Sequence, residues 1–534
     1  MDAILKNGKI YLGRGSFAGS LLIHDGLVAE VWQENEPPCE VPGASVIDLE
    51  GKTVLPGLID SHLHMYNTGV SLTSVKLYGA DSIEECVRRG REFIRQNDPP
   101  KGSVILGRGW NDDYFTDERR MLTRHDLDRI STEYPIIFTR ACGHTLAANT
   151  LAVEMAGVTS GTPQPEGGRI ELGEDGKPNG VFKEHAMGLI QSLSAAPTVE
   201  EIKRLLLAAM EHAAENGITS VQTNDMNEIN YPALWQAYEE LKNEGRALTR
   251  VYQQCIFSTP SGLQDFIDKG YKTGFGDDMN KIGPLKLLID GSLGARTALM
   301  RKDYSDMPGT RGILCVTPEE LDAFMDICQK NNMQAVVHAI GDRAIEIVLD
   351  AYEKVIPNGN NSLRHGIVHC QITDKALLSR FAANGVCALV QPIFLHYDMH
   401  IAESRVGSEL ASTSYAFGTM DKLGLHVSYG TDSPVEDLNT MNNIYCAVTR
   451  KDLSGYPEKG WLPDERVSVE KAVDHYTADS AYNSFEEDKK GMLLPGYMAD
   501  LAVLSDDIFT VKPEDIKNIK VLMTMLGGNI TYKA

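Results

Sequence analysis

The sequence predicts an α/β chain: a (β/α)8, TIM-like barrel with a small β-sandwich built from both chain ends and a subdomain inserted after barrel strand 1. Three observations carry this reading. Eight short apolar runs are spread along the middle of the chain, amphipathic stretches separate most of them, and the two ends share a texture of β-like pieces at Gly turns. Strand–helix alternation implies parallel strands joined by crossover helices, and eight repeats is the count that closes a barrel. A doubly wound open sheet satisfies the alternation as well, so the pattern alone leaves that alternative open.

Residues 1–57 hold short β-like pieces closed by turn residues: Ala3-Ile4-Leu5 before Asn7-Gly8, Ser20-Leu21-Leu22-Ile23 before Asp25-Gly26, and Ser45-Val46-Ile47-Asp48 before Glu50-Gly51. Asn-Gly and Asp-Gly favour tight hairpin turns, so a small antiparallel unit is expected. The tail, 488–534, repeats the texture with Leu501-Ala502-Val503-Leu504 and Val521-Leu522-Met523-Thr524-Met525 ahead of Gly527-Gly528-Asn529. Neither piece has enough apolar residues for a core of its own. The two ends are therefore expected to pair as one β-sandwich beside a barrel spanning 58–487.

The barrel runs are Leu58–His64, Ile218–Gln222, Arg250–Ile256, Pro284–Asp290, Gln334–His338, Gly366–His369, Val386–Gln391 and Val427–Asp432. Helical patterns at Val199–Asn216, Pro232–Glu244, Pro318–Asn331, Arg343–Val355 and Asp374–Asn384 lie between them. About 150 residues separate the first two runs, too many for a structureless loop. Strand-like runs at Val104–Gly107 and Pro135–Phe138, a helical pattern near Thr145–Gly157 and a Gly/Pro-rich stretch through Gly180 predict an inserted subdomain over about 70–197. Inserts after barrel strands lie on the face that carries barrel active sites, so this one is expected to shape a substrate pocket.

The formal charge of −23 argues against a nucleic-acid or anionic-membrane partner, because phosphate binding needs clustered Lys and Arg. No window approaches the ~18 apolar residues of a membrane span, and the first residues lack an apolar run of signal-peptide length. Nine scattered cysteines without a Cys-x-x-Cys suit buried thiols in a reducing compartment, so a cytoplasmic location is expected. The partner expected is a small-molecule substrate, with a homodimer as the starting expectation for assembly.

Candidate ligands gather at the C-terminal ends of the runs. In a strand, alternating side chains put Asp60, His62 and His64 on one face. His62 and His64 end the first run, His338 the fifth, His369 the sixth and Asp432 the eighth, with Lys286 inward in the fourth. Each has a bland explanation. A strand-end His is commonly a hydrogen-bonded surface or core residue, and an Asp before Ser-Pro commonly caps a turn. Lys286, however, lies between Leu285 and Leu287, where an unpaired ammonium would be costly. The convergence of all these positions on one end of one barrel favours a metal site. Neutral imidazoles with a carboxylate suit zinc first, with manganese, iron or cobalt as further candidates.

Several segments resemble the amidohydrolase superfamily of metal-dependent hydrolases, in the branch that includes N-substituted formamide deformylase. They are Leu55–His64, Lys286–Ala298, His338–Ala344 and Tyr429–Pro434, with Gly109-Trp110 and Cys142-Gly143-His144 in the insert and Lys490–Leu501 in the tail. The resemblance implies one or two divalent ions. His62 and His64 would bind the more buried metal, His338 and His369 the second, and Asp432 the first while also moving protons as the catalytic residue. Lys286 matches the position where family members often carry a carboxylated lysine bridging two metals. Trp110, His144 and Arg296 are softer candidates for substrate binding, with core packing the rival reading for Trp110 and a neighbouring acid for Arg296.

The expected activity is metal-dependent hydrolysis of a non-peptide carbon–nitrogen bond, in a linear amide or an N-formyl or N-acyl amine. Water activated by the metal attacks the carbonyl carbon while Asp432 takes its proton and passes it to the leaving nitrogen. A deaminase or cyclic-amide hydrolase uses the same scaffold and stays open as the alternative. A catalytically silent binding or regulatory relative is the rival from another class, although it would be expected to have lost ligands.

Overall fold

The structure is a computed structural model that describes residues 2–39, 41–141, 145–165, 167–193 and 197–534. The chain divides into two compact units, one formed by Met1–Asn67 with Leu206–Ala534 and the other by Thr68–Leu205.

At the centre of the first unit are eight parallel strands in chain order. They are β1 (Leu58–Leu63), β2 (Ile218–Asn227), β3 (Arg250–Ile256), β4 (Asn280–Leu288), β5 (Ala335–Ala339), β6 (Gly366–His369), β7 (Cys387–Val390) and β8 (Val427–Tyr429). Every residue of β1, β6, β7 and β8 is buried, as expected of strands covered on both faces. The helices start and stop on local chemistry. Thr317 and Glu320 form a capping box ahead of Pro318–Asn331, which ends at Asn332 in the left-handed region. Asp374 caps Lys375–Asn384 by accepting from the Leu377 amide.

The last strand returns to the first. The Asp432 amide donates to the His62 carbonyl and the His64 amide to the Ser433 carbonyl, both at 2.8 Å. The buried Asp60 carboxylate accepts from the Thr431 amide and, at 2.7 Å, from its hydroxyl. The approach is so close that a Cβ on Gly430 would lie 2.7 Å from the His62 nitrogen, which excludes any side chain there.

Beside the barrel, one sheet runs in the order Leu27–Trp32, Ser20–His24, Ala3–Lys6, Ser45–Asp48. A second runs Asn529–Lys533, Val521–Leu526, Leu501–Leu504, Thr53–Pro56, Lys9–Gly13, Ser16–Ala18. Both chain ends supply their shared core, with Leu5, Ile10, Leu21 and Val54 against Leu501, Val503 and Met525. The N-terminal portion is not purely antiparallel. Ala3–Lys6 pairs in parallel with Ser45–Asp48, and Lys9–Gly13 with Thr53–Pro56, because the intervening chain crosses over between the two sheets. Thr53–Pro56 runs straight into β1 through Gly57, where a Cβ would overlap the Thr219 side chain.

The second unit contains a six-stranded sheet ordered Gly168–Leu172, Pro178–Glu184, Thr145–Ala148, Ile136–Arg140, Ile105–Trp110, Val75–Lys76. The helical pattern near 145–157 is only partly a helix. Thr145–Ala148 is a buried strand, and the helix is confined to Thr150–Met155. Asn149 marks the switch, its Oδ1 accepting from the Ala152 amide as an N-cap and from the Ile136 amide of the neighbouring strand. Among the described cysteines, Cys39 and Cys315 are exposed and the other six buried, all with free thiols. Among the described residues, no helix is long and apolar enough to cross a membrane.

Candidate metal centre

The C-terminal ends of β1, β5, β6 and the segment after β8 bring four imidazoles and a carboxylate together. The ligand atoms of His62, His64 and Asp432 lie within 4.8 Å of one another. Asp432 Oδ1 is 3.4 Å from His62 Nε2 and 3.3 Å from His64 Nε2. The His62 and His369 rings are 5.6 Å apart and the His338 and His369 rings 4.5 Å apart, so the second pair of histidines continues the first. Lys286, on β4, is buried, and its electrostatic coupling reaches Asp432, His62 and His369. The recess opens at His64, whose side chain is 26% exposed against 1% for His62.

Each imidazole has one nitrogen fixed by an oxygen that can only accept. His62 Nδ1 donates to Gln254 Oε1 at 2.8 Å, and His64 Nδ1 to the Asn224 carbonyl at 2.6 Å. His369 Nδ1 donates to Gln391 Oε1 at 2.7 Å, and His338 Nε2 to the Gly291 carbonyl at 3.1 Å. The other nitrogen of the His62, His338 and His369 rings is left with its lone pair, which is what a metal ligand requires, and His64 Nε2 would yield to an ion the proton it shares with Asp432. Four such donors and one carboxylate, on rigid strand ends, fit a divalent metal ion. His62, His64 and Asp432 would hold an ion, and the His338 and His369 rings lie beside them.

Electrostatics point the same way. Burial pushes the His62 and His369 imidazoles well below the ordinary histidine value, with Lys286 adding to the effect, so both rings stay neutral. Burial also pulls Lys286 down to about 8 against the attraction of Asp432. For Asp432 burial acts upward, but the His64 hydrogen bond and the His62 and His369 rings that face the carboxylate outweigh it and hold the carboxyl below the usual carboxylate range. Asp60, behind the site, is raised to about 7 by burial despite its hydrogen bonds from Thr431 and His62. The backbone is strained at the ligands, with φ of 79° at His369, 50° at Cys370 and 58° at Asp432, a region non-Gly residues enter at a cost of order 1 kcal/mol or more.

The softer candidates are placed differently. Trp110 is fully buried in the core of the second unit and its Nε1 donates to the Phe138 carbonyl at 3.0 Å, the core-packing reading given to it as the rival. Arg296 is held in a bidentate pair with Asp306 at 3.0 and 2.9 Å, and Arg405 binds the same carboxylate, so its fork is committed to a neighbour. His144 lies outside the described residues. Asp290 is a scaffold acid whose oxygens accept from the Leu299, Ile340 and Gly341 amides and lie 3.3 Å from His338 Nε2.

Sequence reasoning missed Gln254 and Gln391. The signal was present, because a glutamine buried in an apolar strand needs partners for the same reason as Lys286. Neither was noticed, since an amide ligates no metal and attracts attention only once the imidazole it faces is known.

Residues 45–532 match the profile of an amidohydrolase family. The chain is 30% identical over 542 residues to YtcJ of Bacillus subtilis (strain 168), a protein named as an amidohydrolase, covering 100% of both chains. It is 25% identical to N-substituted formamide deformylase of Arthrobacter pascens, over 97% of this chain and 96% of that one. A solved metal-dependent hydrolase from Pyrococcus horikoshii OT3 superposes with a TM-score of 0.79 at 30% identity, covering 96% of this chain and 99% of its own. The barrel, the convergent imidazoles and these likenesses agree: the chain belongs to the amidohydrolase family of metal-dependent hydrolases, which act on carbon–nitrogen bonds.

Proposed function

We propose that the protein hydrolyses a linear amide, an N-formyl or N-acyl amine, with one or two zinc ions held by His62, His64, Lys286, His338, His369 and Asp432. The observation that carries this reading is the convergence of four imidazoles and the buried Asp432 at the strand ends of one barrel. The full-length likeness to N-substituted formamide deformylase, as that relative is named, supports the substrate class. Phe394, stacked on the His369 ring at 5.9 Å, adds an apolar wall suited to an N-substituent.

Bound zinc supplies a Lewis acid that makes water nucleophilic at neutral pH and stabilises charge developing on the carbonyl oxygen. The protein's own part is proton handling and orientation. Asp432 accepts the proton as the water oxygen bonds to the carbonyl carbon. It then delivers that proton to the nitrogen as the carbon–nitrogen bond breaks, releasing a carboxylic acid and an amine. Lys286, buried and brought down to about 8, reaches the neutral amine more readily than an ordinary lysine. A neutral amine is the form that adds carbon dioxide, and a carboxylated Lys286 would offer carboxylate oxygens to the ions held by the neighbouring histidines. That position favours a binuclear amide hydrolase over a mononuclear deaminase.

The test is an activity screen of metal-replete protein against N-formyl, N-acyl and cyclic amides, with Asp432→Asn as control. The variant is expected to lose about 10²- to 10⁴-fold in kcat while metal analysis shows ions still bound. Near-wild-type turnover would remove the role given to Asp432, and activity on cyclic amides alone would replace the substrate class.

A further inference from the structure

The four imidazoles are not locked alike. His64 and His338 are held by main-chain carbonyls, of Asn224 and Gly291, which no substitution can remove. His62 and His369 are held by side chains, Gln254 and Gln391, and each glutamine is itself anchored. Gln254 Nε2 donates to the Ser61 carbonyl at 3.1 Å, and Gln391 Nε2 to the Leu389 carbonyl at 3.3 Å. A carbonyl can only accept, so the amide nitrogen must face it and Oε1 must face the ring. Both glutamines are buried, Gln254 completely. Each chain of contacts therefore has one arrangement: carbonyl, amide, Nδ1–H, and a bare Nε2 turned inward.

We propose that Gln254 and Gln391 are positioning residues of the metal centre, one for each half of the ligand set, fixing His62 and His369 as metal-ready tautomers. The inference rests on the reading that the four histidines hold the ions. A neutral amide suits this work better than a carboxylate. Asp60, Asp290 and Asp432 already lie buried around the site, and a further buried charge would need its own partner. A carboxylate behind an imidazole would also make the ring a stronger donor, tightening the metal while damping its Lewis acidity. The glutamines give direction without that charge. Because His62 belongs with His64 and Asp432, and His369 with His338, the two amides are expected to act on different ions.

The experiment is a competition titration of zinc against a chromophoric chelator, on wild type and on Gln254→Leu, Gln391→Leu, Gln254→Glu and Gln391→Glu, with thermal melts confirming folding. Each Leu variant is expected to weaken one class of site by about 10- to 100-fold and leave the other within about twofold. The Glu variants, protonated on the oxygen that faces the Ser61 or Leu389 carbonyl, keep both the donor and the acceptor and are expected to bind more tightly than the Leu variants. Should a Leu variant fail to fold, Gln→Met, unbranched and of matching length, carries the same expectation. Leu variants that bind both ions like wild type would overturn the inference, as would Glu variants no tighter than Leu. A single zinc equivalent in wild type would overturn the pairing of each glutamine with its own ion. Wild type that binds no zinc would instead remove the metal assignment beneath it, a separable failure.

Discussion

At the scale of single residues, Lys286 shows function set against stability. Burial opposes its charge, so the folded chain holds an ammonium in a site that a methionine would fill without that cost. Lys286→Met is expected to stabilise metal-free protein by about 1 to 3 kcal/mol in denaturant melts while lowering metal stoichiometry and turnover. A destabilised variant would show that the amine contributes favourable contacts to the fold. His62, His64, His338, His369, Asp432 and Lys286 were all legible in the sequence, because strand ends and a period of two place side chains without knowledge of packing. For Arg296 and Trp110 the sequence leaves two readings open, for the opposite reason. What each does depends on a partner, Asp306 and the core around Phe138, that no local pattern names.

At the scale of elements, the helices behind the barrel carry a buried cation between two acids. His475, at the end of the helix Val469–His475, offers Nδ1 to Asp479 at 2.7 Å and Nε2 to Asp421 at 2.9 Å. Both nitrogens face carboxylates, so the ring is doubly protonated, and its pKa is raised to about 9 because those bonds outweigh the burial that opposes them. A histidine whose folded value lies above its unfolded one stabilises fully below about 6.5 and loses that contribution as pH rises through about 9. Thermal melts should therefore fall across this window by up to about 3 kcal/mol, and Asp421→Asn with Asp479→Asn should flatten the slope. An unchanged slope would show that the titration lies elsewhere. The barrel helices were readable from their amphipathic period and their Thr317 and Asp374 caps. Thr145–Ala148 was not, because a short apolar run is a strand or a helix according to what lies beside it, here Ile136–Arg140.

At the scale of the whole molecule, the architecture followed from counting eight runs, whereas the parallel pairings among the N-terminal strands depended on crossovers that turn signals do not report. The metal centre sits where the barrel closes, with His62 and His64 on the first strand and Asp432 beyond the last. An ion bound there links β1 to β8, so stripping it with a chelator should lower Tm, and restoring metal should raise Tm again with its concentration. A Tm indifferent to metal would place the ions off the closure. Such a site also orders events in time. A chain still being made holds all four histidines before residue 432 exists, but without β8 neither the barrel closure nor the carboxylate is in place. A chain that stops before residue 432 therefore lacks the carboxylate that completes this ligand set and closes β8 on β1.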